Sequence, residues 1–178
     1  MKNTTKKIAL KIVIKILKKM ITAPEKELGE EIFLWISSIT PMVNVDLLIK
    51  DDKGRVLLTW RDKMYHFKPG WHIPGGVIRY KESIFKRIEK VAQQELGAEI
   101  TWNPEPLAIK EFIFPELKER GHFISFLFEC ELLSPPDERL RYKGGKPKPG
   151  EWKWFSKCPE NLFAVHKVYK EFLPGQKK

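Results

Sequence analysis

Residues 71–100 read WHIPGGVIRYKESIFKRIEKVAQQELGAEI, and the rest of the chain is arranged around them. The stretch opens on the end of an apolar strand, turns through Pro74-Gly75-Gly76 and enters an amphipathic helix near Glu82. Ile84, Phe85, Ile88, Val91, Ala92 and Leu96 recur at three- and four-residue steps, which predicts one buried helix face. Gly97 follows the last of them and reads as the C-terminal cap. Glu95 breaks the pattern. It falls at the edge of the apolar stripe, where a carboxylate costs free energy unless it is paired or bound to a cation.

Outward from this stretch, 178 residues with 42% hydrophobic content describe one domain with a real core. Cys130 and Cys158 form no CxxC pair, so neither a disulfide framework nor a zinc site is expected, and a reducing, cytoplasmic setting is. The net charge of +10 is unevenly spread: residues 1–20 hold seven Lys and no acid, and residues 139–178 hold eleven bases against three Glu. Residues 21–138 hold twenty acids against fifteen bases, which argues against a body shaped for nucleic acid.

Residues 5–21 read as a helix with Lys7, Lys11, Lys15 and Lys18 on one face and Ile, Leu or Val over the rest. It is too charged to span a bilayer and has no small-residue cleavage site. Two readings are open: a helix packed on the domain or on a second subunit, and an interfacial anchor on anionic lipid. Pro24 to Ser38 reads as a second helix. Met42–Ile49 and Arg55–Arg61 read as the strands of a hairpin closed at Asp51–Gly54. After the helix come strands near 99–102, 108–114, 122–133 and 151–155, then a closing helix over Pro159–Leu173. The loop 134–150 is rich in Pro, Gly and base, and reads as a candidate lid over phosphate. The order gives an α+β domain with a mixed sheet between helices, preceded by the basic helix of residues 1–22.

The central stretch resembles the box of the Nudix hydrolase family. Gly76, Glu82, Glu95 and Gly97 stand at that pattern's spacing, and Lys90 takes the place of its Arg. Val91 and Gln94 replace two of its helix carboxylates. Within the family the chain is similar to the GDP-mannose mannosyl hydrolase group. Pro41, Asp46 and Arg61 match its first strands, Lys90 to Glu95 match its shortened box, and Trp152 to Phe155 match its last strand.

The resemblance implies a Nudix fold and hydrolysis of a nucleoside diphosphate linked to another moiety, a nucleotide sugar such as GDP-mannose among them. It implies a divalent cation, Mg²⁺ or in its place Mn²⁺, held by the Gly75 carbonyl and by Glu95. It implies that Arg61 contacts the leaving diphosphate and that Asp46 lines the nucleotide pocket. A homodimer is expected with it. His72, nearest the turn, is the candidate base, and Glu151 is a candidate substrate contact in place of the group's loop residues. The chain departs from the group at Val77, where an Arg is usual, and at Lys148 and Pro149, where a Gln ligand and a His base align. Two alternatives stay open. One is a diphosphatase attacking phosphorus, with Glu151 or Asp137 completing the metal site; the other is a nucleotide-binding module without turnover. Gly76, Glu82, Lys90 and Gly97 are read as structural, with Glu82 pairing Lys86 or Lys90.

Overall fold

The computed structural model describes residues 2–24, 28–64 and 66–175. Among the described residues there are three α-helices: α1 (Lys2–Met20), α2 (Glu30–Ser37) and α3 (Ile84–Leu96). Among the same residues there are eight strands: β1 (Met42–Ile49), β2 (Val56–Arg61), β3 (Gly70–His72), β4 (Gly75–Val77), β5 (Ile100–Trp102), β6 (Ala108–Ile113), β7 (His122–Leu132) and β8 (Trp152–Phe155).

The strands make two sheets. One runs β4-β1-β7-β5, with β6 also on β7, and the other runs β3-β2-β8. β1 and β7 are parallel and the remaining pairs are antiparallel, so the first sheet is mixed. This is the α+β architecture that the order of elements implied.

Alternation along β1 divides the core in two. Val45, Leu47 and Ile49 pack with Ile88, Val91, Ala92 and Leu96 of α3, while Leu48 belongs to a second cluster with Trp60, Trp71, Ile73, Leu127 and Tyr169. All of these are buried. Truncating one such Leu to Ala costs about 2–5 kcal/mol, so both clusters hold the strands in one register.

α3 begins at Ser83, whose hydroxyl accepts from the Lys86 N–H at 3.2 Å. It ends at Gly97 in the left-handed region (φ 62°), as read from the sequence.

Three elements differ from the sequence reading. β1 and β2 are not a continuous hairpin. The turn is there, with the Gly54 N–H donating to Asp51 O at 2.9 Å, but the ladder stops at the Lys50–Val56 bridge. Beyond it β1 pairs β4 and β7 while β2 pairs β3 and β8, which lets both near-wholly apolar strands be covered on two faces. The second helix starts at Glu30, because Gly29 holds a left-handed φ of 71°; residues 25–27 of that expected helix lie outside the described residues. The closing segment is a run of 3-10 turns over Ala164–Phe172. At three residues per turn His166, Tyr169 and Phe172 stack on one inward face, a spacing that an α-helix would spread.

The described residues leave α1 uncovered: from Thr4 to Met20 every residue but Leu17 is exposed. The reading in which it covers the domain is therefore overturned.

Candidate functional site

Strand parity places the site. In β2, Leu57 faces α3, so Thr59 and Arg61 do also. Thr59 pairs with His72 of β3. In β1, Asp46 is one residue out of step with Val45 and Leu47, so it faces away from α3 toward the closing 3-10 turns.

Glu95 sits where these elements meet. Its Oε1 accepts from the Gly75 N–H at 3.2 Å and its Oε2 from the Thr59 hydroxyl at 3.1 Å. His72 Nε2 lies 3.6 Å from Oε2. Burial by itself would raise the Glu95 pKa, but His72, Arg61 and the Gly75 N–H outweigh it and hold the carboxylate below its ordinary value. His72 Nδ1 lies 2.8 Å from Thr59 O, so Nδ1 carries the proton and donates. Its Nε2 then accepts from Arg61 Nη2 at 3.2 Å. Sequence reading thus named Glu95, Arg61, His72 and Gly75 separately, and the fold joins them in one cluster.

A second polar cluster lies beside it. Asp46 is buried, and its Oδ2 accepts from the hydroxyls of Ser125 at 2.5 Å and Tyr169 at 2.9 Å. Its Oδ1 accepts from Asn44 Nδ2 at 3.0 Å. Burial pushes its pKa up to about 6 despite these bonds and the Arg61 charge. His166 Nδ1 accepts from the Ile73 N–H at 2.8 Å, which fixes the proton on Nε2. Burial first, and then the neighbouring His72 and Arg61, hold the His166 pKa well below its usual value, so the ring is neutral.

Both clusters border a cavity of about 310 Å³ lined by Asp46, Ser125, His72, His166 and Gly75. Four arginines, Arg61, Arg79, Arg87 and Arg120, line its wall, with Phe33, Phe67, Phe112, Phe114 and Phe163 as apolar surface. Arg79 and Arg120 both stand over the Phe33 ring, each 4.9 Å from its centre. Arg120 Nε is buried without a hydrogen-bond partner among the described residues.

The structural box residues hold the frame. Glu82 Oε2 accepts from the Arg79 N–H at 3.0 Å and from Arg87 Nε at 2.7 Å, and Lys90 Nζ reaches Oε1 at 2.8 Å. Lys90 was foreseen as its partner, whereas Lys86 turns to Glu89 instead, at 3.8 Å. A Cβ on Gly76 would lie 2.9 Å from Val91 Cγ2, so the turn packs directly on α3.

Other candidates lie elsewhere. Glu151 turns back on the Lys148 N–H at 2.9 Å and does not line the cavity. Asp137 is clamped by Arg139 Nη2 at 2.6 Å, and no residue of the 134–150 loop lines the cavity. That loop is tied down by Trp152 Nε1 donating to Asp137 O at 2.8 Å and Gly150 N–H donating to Trp60 O at 2.9 Å, so it is not a lid here.

Among the described residues no group of three or more His, Cys, Asp or Glu is placed to hold a metal ion. Val91 is buried in the core and Gln94 lines the cavity, so Glu95 is the one box-helix carboxylate left at the Gly75 turn. Each Glu95 oxygen accepts one hydrogen bond and keeps lone-pair capacity. This donor set fits a hard ion that brings most of its oxygen ligands from water and a diphosphate, not a caged resident ion.

Sequence reading missed Ser125, His166, Phe33 and Arg120, which come from remote strands, turns and helices, and marked Tyr169 only as a match in the closing segment. The three-residue step from His166 to Tyr169 was the visible signal for His166.

The fold is that of a Nudix domain, and residues 40–174 match the NUDIX domain family model. The chain belongs to that family, whose hydrolases generally use Mg²⁺ or Mn²⁺. Over 96 residues it is 31% identical to the low-salt glycan biosynthesis protein Agl8 of Haloferax volcanii, covering 52% of this chain and 60% of that protein. The chain therefore spans less than two thirds of that relative. Its fold is similar to a MutT NUDIX hydrolase from Burkholderia pseudomallei, with a TM-score of 0.57 and 22% identity over 74% of this chain and 97% of the other. It is also similar to a UDP-X diphosphatase, with a TM-score of 0.54 and 18% identity over 90% of this chain and 66% of the other.

Proposed function

We propose that this chain hydrolyses a nucleoside diphosphate linked to a second moiety, a nucleotide sugar such as GDP-mannose being the best fit. The observation that carries this is the cavity that joins four arginines to an aromatic wall beside the Gly75 turn that holds Glu95. Guanidinium forks suit the diphosphate oxygens, and the Phe surface suits a base or a sugar face. Two similar proteins, one named for glycan biosynthesis and one a UDP-X diphosphatase, support a nucleotide sugar.

Arg61 is the phosphate contact nearest the Glu95 cluster, held in place by its bond to His72. His72 is positioned by Thr59 O, and Nε2 turns free for a proton whenever Arg61 shifts to an incoming phosphate. Asp46, with its pKa raised to about 6, is a second group able to exchange a proton near neutral pH. His166 presents its Nε2–H toward Asp46 and supplies a neutral donor. Glu95 and the Gly75 carbonyl would hold Mg²⁺ brought in with the diphosphate, and that ion would neutralise charge on the leaving group. With Cys130 and Cys158 both free thiols, we place this reaction in the cytoplasm.

The rival diphosphatase reading looks for an extra carboxylate, such as Glu151 or Asp137, to complete the metal site; Glu151 accepts from the Lys148 N–H and Asp137 pairs with Arg139. The test is a set of nucleoside diphosphate compounds with Mg²⁺ or Mn²⁺, reading each product. Free sugar with nucleoside diphosphate marks attack at carbon; sugar phosphate with nucleoside monophosphate marks attack at phosphorus. No turnover on any of them with either ion would overturn the proposal.

A further inference from the structure

The N-terminal helix is left largely exposed by the described residues. It precedes the family match at residue 40. Ile8, Leu10, Ile12, Val13, Ile16 and Met20 are between 50% and 69% exposed, so the apolar surface of α1 is in water. Lys7, Lys11, Lys15 and Lys18 follow one another at steps of four, four and three, which places them in one stripe. Val13, Ile16 and Met20 lie on the opposite side at the same kind of step. Residues 2–20 contain seven Lys and no acid, and none of the Lys from 6 to 19 pairs with a carboxylate among the described residues.

We propose that α1 lies in the plane of an anionic lipid surface and tethers the hydrolase to it. Three occupants of an unpartnered helix face compete, and charge decides between them. A second copy of α1 would cover the apolar side but bring seven more Lys with no acid to meet them. A nucleic acid would meet the Lys but leave the Ile and Val side in water. An anionic bilayer surface answers both sides together: the aliphatic side sinks to the acyl boundary while the Lys reach anionic headgroups. The Lys stems are long enough to carry their charge out past the apolar boundary. The helix does not cross the bilayer, since no helix among the described residues is long and apolar enough. At 19 residues α1 is about 28 Å long, enough to lie across several headgroups.

The full chain should be floated with vesicles of pure phosphatidylcholine and with vesicles containing about 30 mol% phosphatidylglycerol. We expect at least tenfold more bound protein on the anionic vesicles, falling several-fold in 0.5 M NaCl as the charges are screened. Deleting residues 1–22 should abolish flotation and leave melting temperature and turnover of soluble substrate unchanged. Ile12→Asp with Ile16→Asp, and separately Lys7, Lys11, Lys15 and Lys18 all changed to Gln, should each lower binding at least tenfold. Equal flotation on both vesicle types, or flotation that survives the deletion, would overturn the proposal. Binding that survives the two Asp substitutions would also overturn it, by showing attraction without insertion. A halved mass in light scattering on deletion, with no vesicle binding by the full chain, would assign the face to a second copy. A shift on duplex DNA with no vesicle binding would assign it to a polyanion.

Discussion

Asp46 and His166 face each other beside the cavity with His166 Nε2 4.0 Å from Asp46 Oδ1, too far for a hydrogen bond. The backbone N–H of Ile73 fixes the His166 tautomer, and the Ser125 and Tyr169 hydroxyls fix Asp46. Burial then acts on both in the direction of neutrality, raising the acid and lowering the base.

The two groups give opposite pH dependences. Asp46 moves from 3.8 to about 6, so between those values the native state holds more protons than the unfolded chain. Its contribution to stability therefore falls as pH rises from 4 to 6, by about 3 kcal/mol in all. His166 is lowered, so the native state holds fewer protons below pH 6.5, and its contribution is lost as pH falls. Asp46 is not among the causes of the His166 shift, so a substitution at Asp46 isolates one of the two. Asp46→Asn should gain stability relative to the parent as pH rises from 4 to 6. Urea unfolding at four pH values across that window measures the difference; a flat difference would show that Asp46 does not titrate there.

Glu95→Gln keeps the shape and removes the charge. Gln can still accept from Gly75 N–H or the Thr59 hydroxyl, so the fold should persist with a modest drop in melting temperature. Turnover should fall by at least about 100-fold, since Arg61 and His72 lose their anion and the ion loses its one carboxylate. Calorimetric titration with Mg²⁺ and a nucleoside diphosphate, beside the activity assay, is the check. Full activity would remove Glu95 from the reaction.

Glu82→Gln should behave in the reverse manner. The side chain is 5% exposed and holds Arg87, itself 9% exposed, at 2.6 Å. Removing one partner of such a pair leaves the other charged and buried, at a cost of about 3–5 kcal/mol. Chemical denaturation should show this loss. Protein that remains folded should keep most of its kcat, because Glu82 does not line the cavity.

Gly75→Ala should be among the most damaging single changes. A Cβ there would run into Asp46 Oδ1 and stand 2.8 Å from Val45 O, at the point where β4 pairs with β1. The strand pair would have to part, carrying the Gly75 N–H away from Glu95. Activity should drop by at least about 1,000-fold, with lost stability in the same variant. An active, normally stable Gly75→Ala protein would contradict the close approach.

The sequence by itself determined the local frame. The apolar steps from Ile84 to Leu96, the cap at Gly97, the strand at 42–49 and the box spacing from Gly76 to Glu95 all depend on short-range patterns, and all stand where they were read. Glu95, Arg61, His72 and Gly75 were legible for the same reason: each sits at a marked place in a local motif. The tertiary structure alone decided which residues share the cavity. Asp46 meets Tyr169 across 123 positions and Ser125 across 79, because the parallel β1–β7 register and the closing 3-10 turns bring them together. Pairing between distant strands is set by the total burial of both cores, which no window of sequence contains. The same global balance parted β1 from β2 beyond their shared turn, and left α1 with an apolar side that no described part of the domain covers.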